Sequence, residues 1–232
     1  MTQTLQPRLD SPTAAPYSSL VRVAAGACLV AAAVTNGLSQ YAGDLATGGV
    51  DFADQLRWGL DHPVLQRTEQ SLLVVSALFM PLGLLGLAQV TRWSARRLTL
   101  VATPLFLLGM WGFANVLSMG YVTGTIAPQL IPVGPATTLH ENLGSDPGAV
   151  WLALVPHLVG SFFGVLLITV AAWRSGRFPR PACALVIAFL VWDFLLPSVG
   201  PLEPHLLLAV GWAWLGVVLI RMPQAVWAGA SR

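Results

Sequence analysis

The chain has 232 residues, 55% of them hydrophobic and 9% charged, far below the roughly 25% charge of a soluble domain, so composition alone makes it a membrane protein. Its positive charge is arginine only, spread over several short loops, and a net charge of +2 offers no basic face for nucleic acid. There is no room for a second domain of any size, and Cys28 and Cys183 read as small packing residues rather than a disulfide or metal pair.

Residues 1–18 are polar and rich in Pro, Ser and Thr, which predicts a disordered cytoplasmic tail. Six apolar runs follow, at about 20–40, 71–91, 98–122, 149–173, 181–199 and 205–222. Each approaches the ~20 residues that cross the hydrocarbon core. The expected fold is therefore all-α, a polytopic bundle of six transmembrane helices over residues 19–223, with 224–232 as a second cytoplasmic tail. The first run could imitate a signal peptide, but its leading segment is long and more spans follow, which favours an uncleaved helix.

The loops RWSARR (Arg92, Arg96, Arg97) and WRSGRFPR (Arg174, Arg177, Arg180) fall on one side with Arg8, Arg22, Arg221 and Arg232. The positive-inside rule puts that side, and both termini, in the cytoplasm. Most of the acids and all four histidines, His62, His140, His157 and His205, fall in the opposite half. The hairpin around each arginine loop repeats a feature: Trp111 to Asn115 follows the first loop, and Trp192-Asp193-Phe194 follows the second. This hints at a duplicated hairpin. The segments 41–62 and 123–148 read as outer loops, the second long enough for a lid or binding loop.

The stretch Leu185 to His205 sets one carboxylate, Asp193, into an apolar run. A charge in hydrocarbon costs about 2.5–3.5 kcal/mol on insertion scales, so Asp193 reads as a functional carboxylate or as a structural acceptor for Asn115 or His157. At 1.5 Å per residue, Asp193, His157 and Asn115 all lie roughly 10–12 Å below the outer surface. Asn36 lies near the outer end of the first helix, and Glu69 and His205 open the second and sixth. Polar groups in hydrocarbon turn towards one another, so these six should meet, with Asp193 largely buried, in one outward pocket above a sealed apolar half. Trp111, Trp192, Trp212 and Trp214 lie deep enough to line it or to pack the core. Trp93, Trp151, Trp173, Tyr41 and Tyr121 fit the interfacial belt. Ser161 falls one turn from His157, as a hydrogen-bonded pair or a proton carrier. Gly160 and Gly164 form a GxxxG that predicts a close helix crossing. Glu203-Pro204-His205 and Asp61-His62-Pro63 carry ordinary helix-start chemistry. No zinc-hydrolase, haem-pair, Walker or dinucleotide motif is present, and no cofactor or metal is expected.

The segment AAWRSGRFPRPACALVIAF, with HPVLQR at the entry to the second helix, resembles uncharacterised six-helix integral membrane proteins of high-GC bacteria. More distantly, in size and chemistry, the chain is similar to small integral-membrane terpene cyclases. That resemblance implies an enzyme that protonates an isoprenoid with membrane-embedded carboxylates, here Asp193 as acid with Glu69 as second carboxylate. His157 and Asn115 would orient, and Trp111, Trp192, Trp212, His205 and Asn36 would line the substrate site. The expected partners are a lipophilic small molecule and the bilayer. A proton-coupled transporter or binding protein, and a structural membrane protein without catalysis, are the alternative readings.

Overall fold

The computed structural model describes residues 16–47, 51–196 and 204–229, and within them the chain is helical, with no strand. The helices are α1 (Pro16–Thr47), α2 (Phe52–Asp61), α3 (Pro63–Thr91), α4 (Arg96–Tyr121), α5 (Ala127–Leu130), α6 (Val133–Ser145), α7 (Pro147–Ala149), α8 (Ser161–Ser175), α9 (Arg180–Leu195), α10 (His205–Arg221) and α11 (Gln224–Trp227). Three π-helical turns, Val122–Ile126, Val150–Leu154 and Pro156–Gly160, join or extend α4, α7 and α8.

Four helical stretches are long and apolar enough to cross a membrane: Ser19–Gly43, Pro63–Thr91, Arg96–Leu130 and Pro147–Ser175. The fifth and sixth expected spans are also apolar helices, but shorter. α10 has 17 residues, and α9 has 16 and stops at Leu195 rather than at 199. The early stop has a local cause. Leu196 is extended (φ −114, ψ 148), the conformation forced on a residue that precedes proline, and Pro197 follows it. Glu203, expected at the start of the sixth helix, lies outside the described residues, as does most of the N-terminal tail.

α1 lies between α3 and α10, α8 lies between α4 and α9, and the ring closes where α3 meets α4 and α8 and where α9 meets α10. The core of this bundle is aliphatic, with Leu29, Leu84, Leu87, Ile168, Leu215 and Leu219 fully buried. The expected GxxxG contact is present. Gly160 and Gly164 of one strand of the crossing meet Gly109 and Phe106 of α4 backbone to backbone, and Gly112 lies against His157. Such contacts replace the missing hydrophobic drive between helices in lipid.

At one end the arginines gather. Arg22 donates to the carbonyls of Leu219 and Ile220, and Arg177 donates to Val90 O at 3.3 Å. The expected C-terminal tail is partly structured here: Trp227 of α11 is 5% exposed, and its carbonyl accepts from Gln89 at 3.5 Å. A large apolar side chain six residues past Arg221 and four past Pro223 finds core within reach, which a reading by charge alone misses.

At the opposite end the two expected loops are mostly helical and form a cap. Asp51 caps α2, its carboxylate accepting from Asp54 N at 2.8 Å, and Asp146 caps α7 in the same way through Ala149 N. Pro63 and Pro147 occupy first turns, where a missing N–H costs nothing. α2 and α6 pack through Leu56, Ala127 and Ala136, with Phe52 and Val133 at the edge. Gln66 at the entry to α3 ties the cap down by donating to Gly124 O at 2.8 Å.

Candidate functional site

Between the cap and the aliphatic core lies a cavity of about 330 Å³, within the size range of small-molecule sites. Its walls are apolar: Met80, Met110, Phe113, Val165, Phe189 and Leu208 among them. Four of the polar residues singled out in the sequence reach it from four different helical segments. Asn36 comes from α1, His157 from the π turn before α8, Asp193 from α9 and His205 from the first turn of α10. Trp212, two turns along α10 from His205, closes one side and is 2% exposed.

The groups form two pairs. His205 Nδ1 lies 4.0 Å from Asp193 Oδ1, an ion pair when the ring is protonated, and the Phe189 ring lies 4.9 Å from the His205 ring, tilted. His157 Nδ1 lies 3.1 Å from Ser161 Oγ, and the Phe113 ring stacks on His157 at 5.1 Å. The position of His157 follows from its neighbour. Pro156 has no N–H to give the helix and its ring crowds the preceding turn, which widens the backbone to π geometry. The widened turn packs on α4 through Gly109 and Gly112, so His157 is held by backbone on two sides.

Two further polar atoms bear on what the cavity takes. Among the described residues, Asn36 Oδ1 and Trp212 Nε1 are buried and have no hydrogen-bond partner, although Asn36 is only 3% exposed and Trp212 2%. Buried polar atoms are nearly always satisfied. A donor and an acceptor left over on the wall of one apolar cavity suit a guest with a hydroxyl or carbonyl group.

The sequence expectation of six converging polar groups holds for four. Glu69 is elsewhere: its carboxylate faces Gly43 across the α1–α3 seam, and its backbone carbonyl accepts from Ser39 at 3.0 Å. Being at the right depth did not put it on the right face. Asn115 also stays out, since its amide donates to Trp111 O of its own helix at 2.9 Å. Trp111 is 49% exposed and Trp192 is half-buried; neither lines the cavity, and Trp214 does not either. Asp193 is less buried than expected, its side chain 30% exposed, because α9 ends two residues later. Missed were Gln40, one turn beyond Asn36 on the same face of α1, Phe113, midway between Trp111 and Asn115, and Phe189, four residues before Asp193. The i, i+4 spacing of Asn36 and Gln40 was a usable signal. No protein-family model, curated protein or solved structure matches the chain.

Proposed function

We propose that the chain is a membrane-embedded enzyme that transfers a proton to a lipid-soluble substrate held in this cavity, and that acid-initiated cyclisation of an isoprenoid is the reaction it performs. The observation that carries the reading is the convergence of Asn36, His157, Asp193 and His205 on one apolar cavity. The proton donor is the Asp193–His205 pair rather than a lone carboxylic acid. The Asp193 carboxyl can give its proton to an alkene carbon or an epoxide oxygen seated above, with the His205 imidazole 4.0 Å away facing the carboxylate left behind. The resulting carbocation is then faced by Phe113, Phe189, Phe194 and Trp212, whose ring faces attract a cation. Loss of a proton from the cyclised cation returns the pair to its starting state, so the reaction is a net isomerisation and needs no cofactor. Asn36 and Trp212 Nε1 hold the polar end of the substrate, and His157 with Ser161 orients it.

The test is turnover. Membranes containing the protein are incubated with linear isoprenoid alcohols and epoxides, and cyclic products are sought by mass spectrometry. Product from the wild-type chain that vanishes with Asp193→Asn, at equal expression, supports the reading. Undiminished product with that variant overturns the assignment of the acid.

A second reading rests on a different observation. The π turn Pro156–Gly160, which brings His157 to the cavity, is a helix irregularity of the kind that lines substrate paths in carriers. In that case the same pairs would bind a proton during transport, and uptake into proteoliposomes would follow an imposed proton gradient without any product formed.

The membrane orientation belongs to the same proposal: six spans, with both termini and the arginine-rich end in the cytoplasm. Reporter fusions after Gly124 should read outside, and after Arg96 and Arg177 inside.

A further inference from the structure

We propose a second site, independent of the cavity above: the groove between α3 and α4 at the arginine-rich end holds one anionic phospholipid. The groove encloses about 900 Å³. One face of each helix lines it at helical spacing, Leu85, Ala88 and Arg92 from α3 and Arg96, Leu100 and Pro104 from α4. Both arginines stand at the same end of the two stripes. The remaining length, seven residues on α3 and eight on α4, is roughly 10–12 Å of apolar track. Leu85 and Leu100 are 40% and 63% exposed on it, so the track is open to an acyl chain from the bilayer.

The charged end is set up for phosphate. Arg92 stacks over the Trp93 ring at 4.4 Å, which fixes the guanidinium plane and leaves its edge N–H groups for oxygen acceptors. Among the described residues, no carboxylate pairs with Arg92 or Arg96. No acidic residue lines the groove. Two other arginines of this end behave differently: Arg22 and Arg177 each donate through a terminal guanidinium nitrogen to backbone carbonyls, of α10 and α3 respectively. Two uncommitted guanidinium groups beside an apolar track between two spans match the headgroup and tail of a lipid such as phosphatidylglycerol. A free phosphate would use the arginines but leave the track unused, and a zwitterionic lipid would bring its own cation to the arginines.

Native mass spectrometry of the purified full-length protein, titrated with long-chain phosphatidylglycerol or phosphatidylcholine, tests this. One phosphatidylglycerol should be retained about tenfold more tightly than phosphatidylcholine. The double variant Arg92→Gln/Arg96→Gln should lose that preference. Arg174→Gln/Arg180→Gln, which removes the same charge from exposed positions at the same end, should keep it. A melting temperature near wild type in both shows that the fold is intact. Equal loss in the two double variants would mean general surface charge, and overturns the site. So does equal retention of the two lipids by the wild-type protein, a comparison that needs no variant. Displacement of the lipid by millimolar inorganic phosphate would show a free-anion site in its place.

Discussion

Along α1 the two halves of the bundle are packed by different means. Towards the arginine-rich end, small residues bring backbones together. A Cβ added to Gly26 would sit 2.6 Å from Gly216 O, one on Gly83 would sit 2.7 Å from Leu29 Cα, and one on Gly86 would meet Ala25 Cβ at 2.7 Å. Between these contacts Leu29, Leu84, Leu87, Leu215 and Leu219 are wholly buried. Towards the cap the same helices carry Asn36, Gln40, Met80, Leu208 and Trp212, and there they enclose the cavity. Around α1 close backbones seal the floor and long side chains line the upper half, whereas on the far wall α4 keeps backbone contact with the Pro156–Gly160 turn beside the cavity. Polar groups tolerated in the upper half are those that face the opening. Glu69 and Asn115, at similar depth but on other faces, find backbone neighbours instead.

The sharpest way to break this comparison is to remove polar groups one at a time. If the cavity is the reactive region, Asp193→Asn and His205→Gln should each lower turnover by at least about a hundredfold, the scale of a lost acid–base group. Glu69→Gln, a change of the same chemistry outside the cavity, should alter kcat by less than about twofold. A Glu69 effect as large as that of Asp193 would mean the seam, not the cavity, holds the chemistry.

The sealed half is tested by volume. Gly83→Ala places a methyl into the backbone of α1 and should cost about 1–3 kcal/mol, as overpacking does. Gly134→Ala in the cap helix meets nothing within 4 Å and should be neutral or gain up to about 1 kcal/mol from helix propensity. Reversible unfolding in mixed micelles, by denaturant titration, measures both. Similar losses at the two positions would mean that glycine spacing does not set the floor.

A smaller effect is expected at the second pair in the cavity. Ser161→Ala removes the hydroxyl 3.1 Å from His157 Nδ1 but leaves the ring stacked on Phe113 and backed by α4. KM should rise several-fold, about 1 kcal/mol for one hydrogen bond, with kcat little changed. A large fall in kcat would make Ser161 a participant in the reaction.

How much of this could be read from the sequence depended on which coordinate mattered. Helix positions follow from hydropathy, so four helices of membrane-crossing length and the shorter apolar α9 and α10 were legible, as was the common level in the bundle of Asn36, His157, Asp193 and His205. Which way a residue faces was not, because in lipid both sides of a helix are apolar and the periodicity that marks a buried face is lost. Trp111 illustrates this, with the same apolar surroundings in sequence as Trp212 but on the outer surface of α4. The likeness between the two hairpins does not extend to the cavity: Asp193, one residue after Trp192, reaches it, whereas Asn115, four residues after Trp111, turns back to its own helix. The end of α9 was legible in hindsight, since Pro197 restricts Leu196. The cap was not, because its short helices are held by single polar contacts such as Asp51 to Asp54 N that leave little mark on composition.

The cap supplies the mildest expected effect, and one that depends on pH. His140 of α6 stacks face to face on Phe52 of α2 at 3.7 Å, and its Nδ1 lies 3.1 Å from Thr123 Oγ1 in the π turn below. It thus touches both α2 and the turn below. Burial lowers its pKa from the ordinary histidine range, opposed in part by the neighbouring Glu141 carboxylate. Elsewhere on α2 the charged groups Asp54 and Arg57 pair with each other on the exposed surface. The sign follows from linkage. A histidine whose pKa is lower when docked favours the docked cap while it is neutral. That contribution is whole above the undocked pKa of about 6.5 and is lost as pH falls below it. Hydrogen exchange of the α6 amides in micelles should therefore quicken between about pH 6.5 and 5 relative to the intrinsic rate. His140→Phe keeps the stack on Phe52 without a titrating ring, and should flatten that dependence while leaving α1 and α8 unchanged. Protection of α6 that grows as pH falls would reverse the sign and show that the stacked ring is held as the cation.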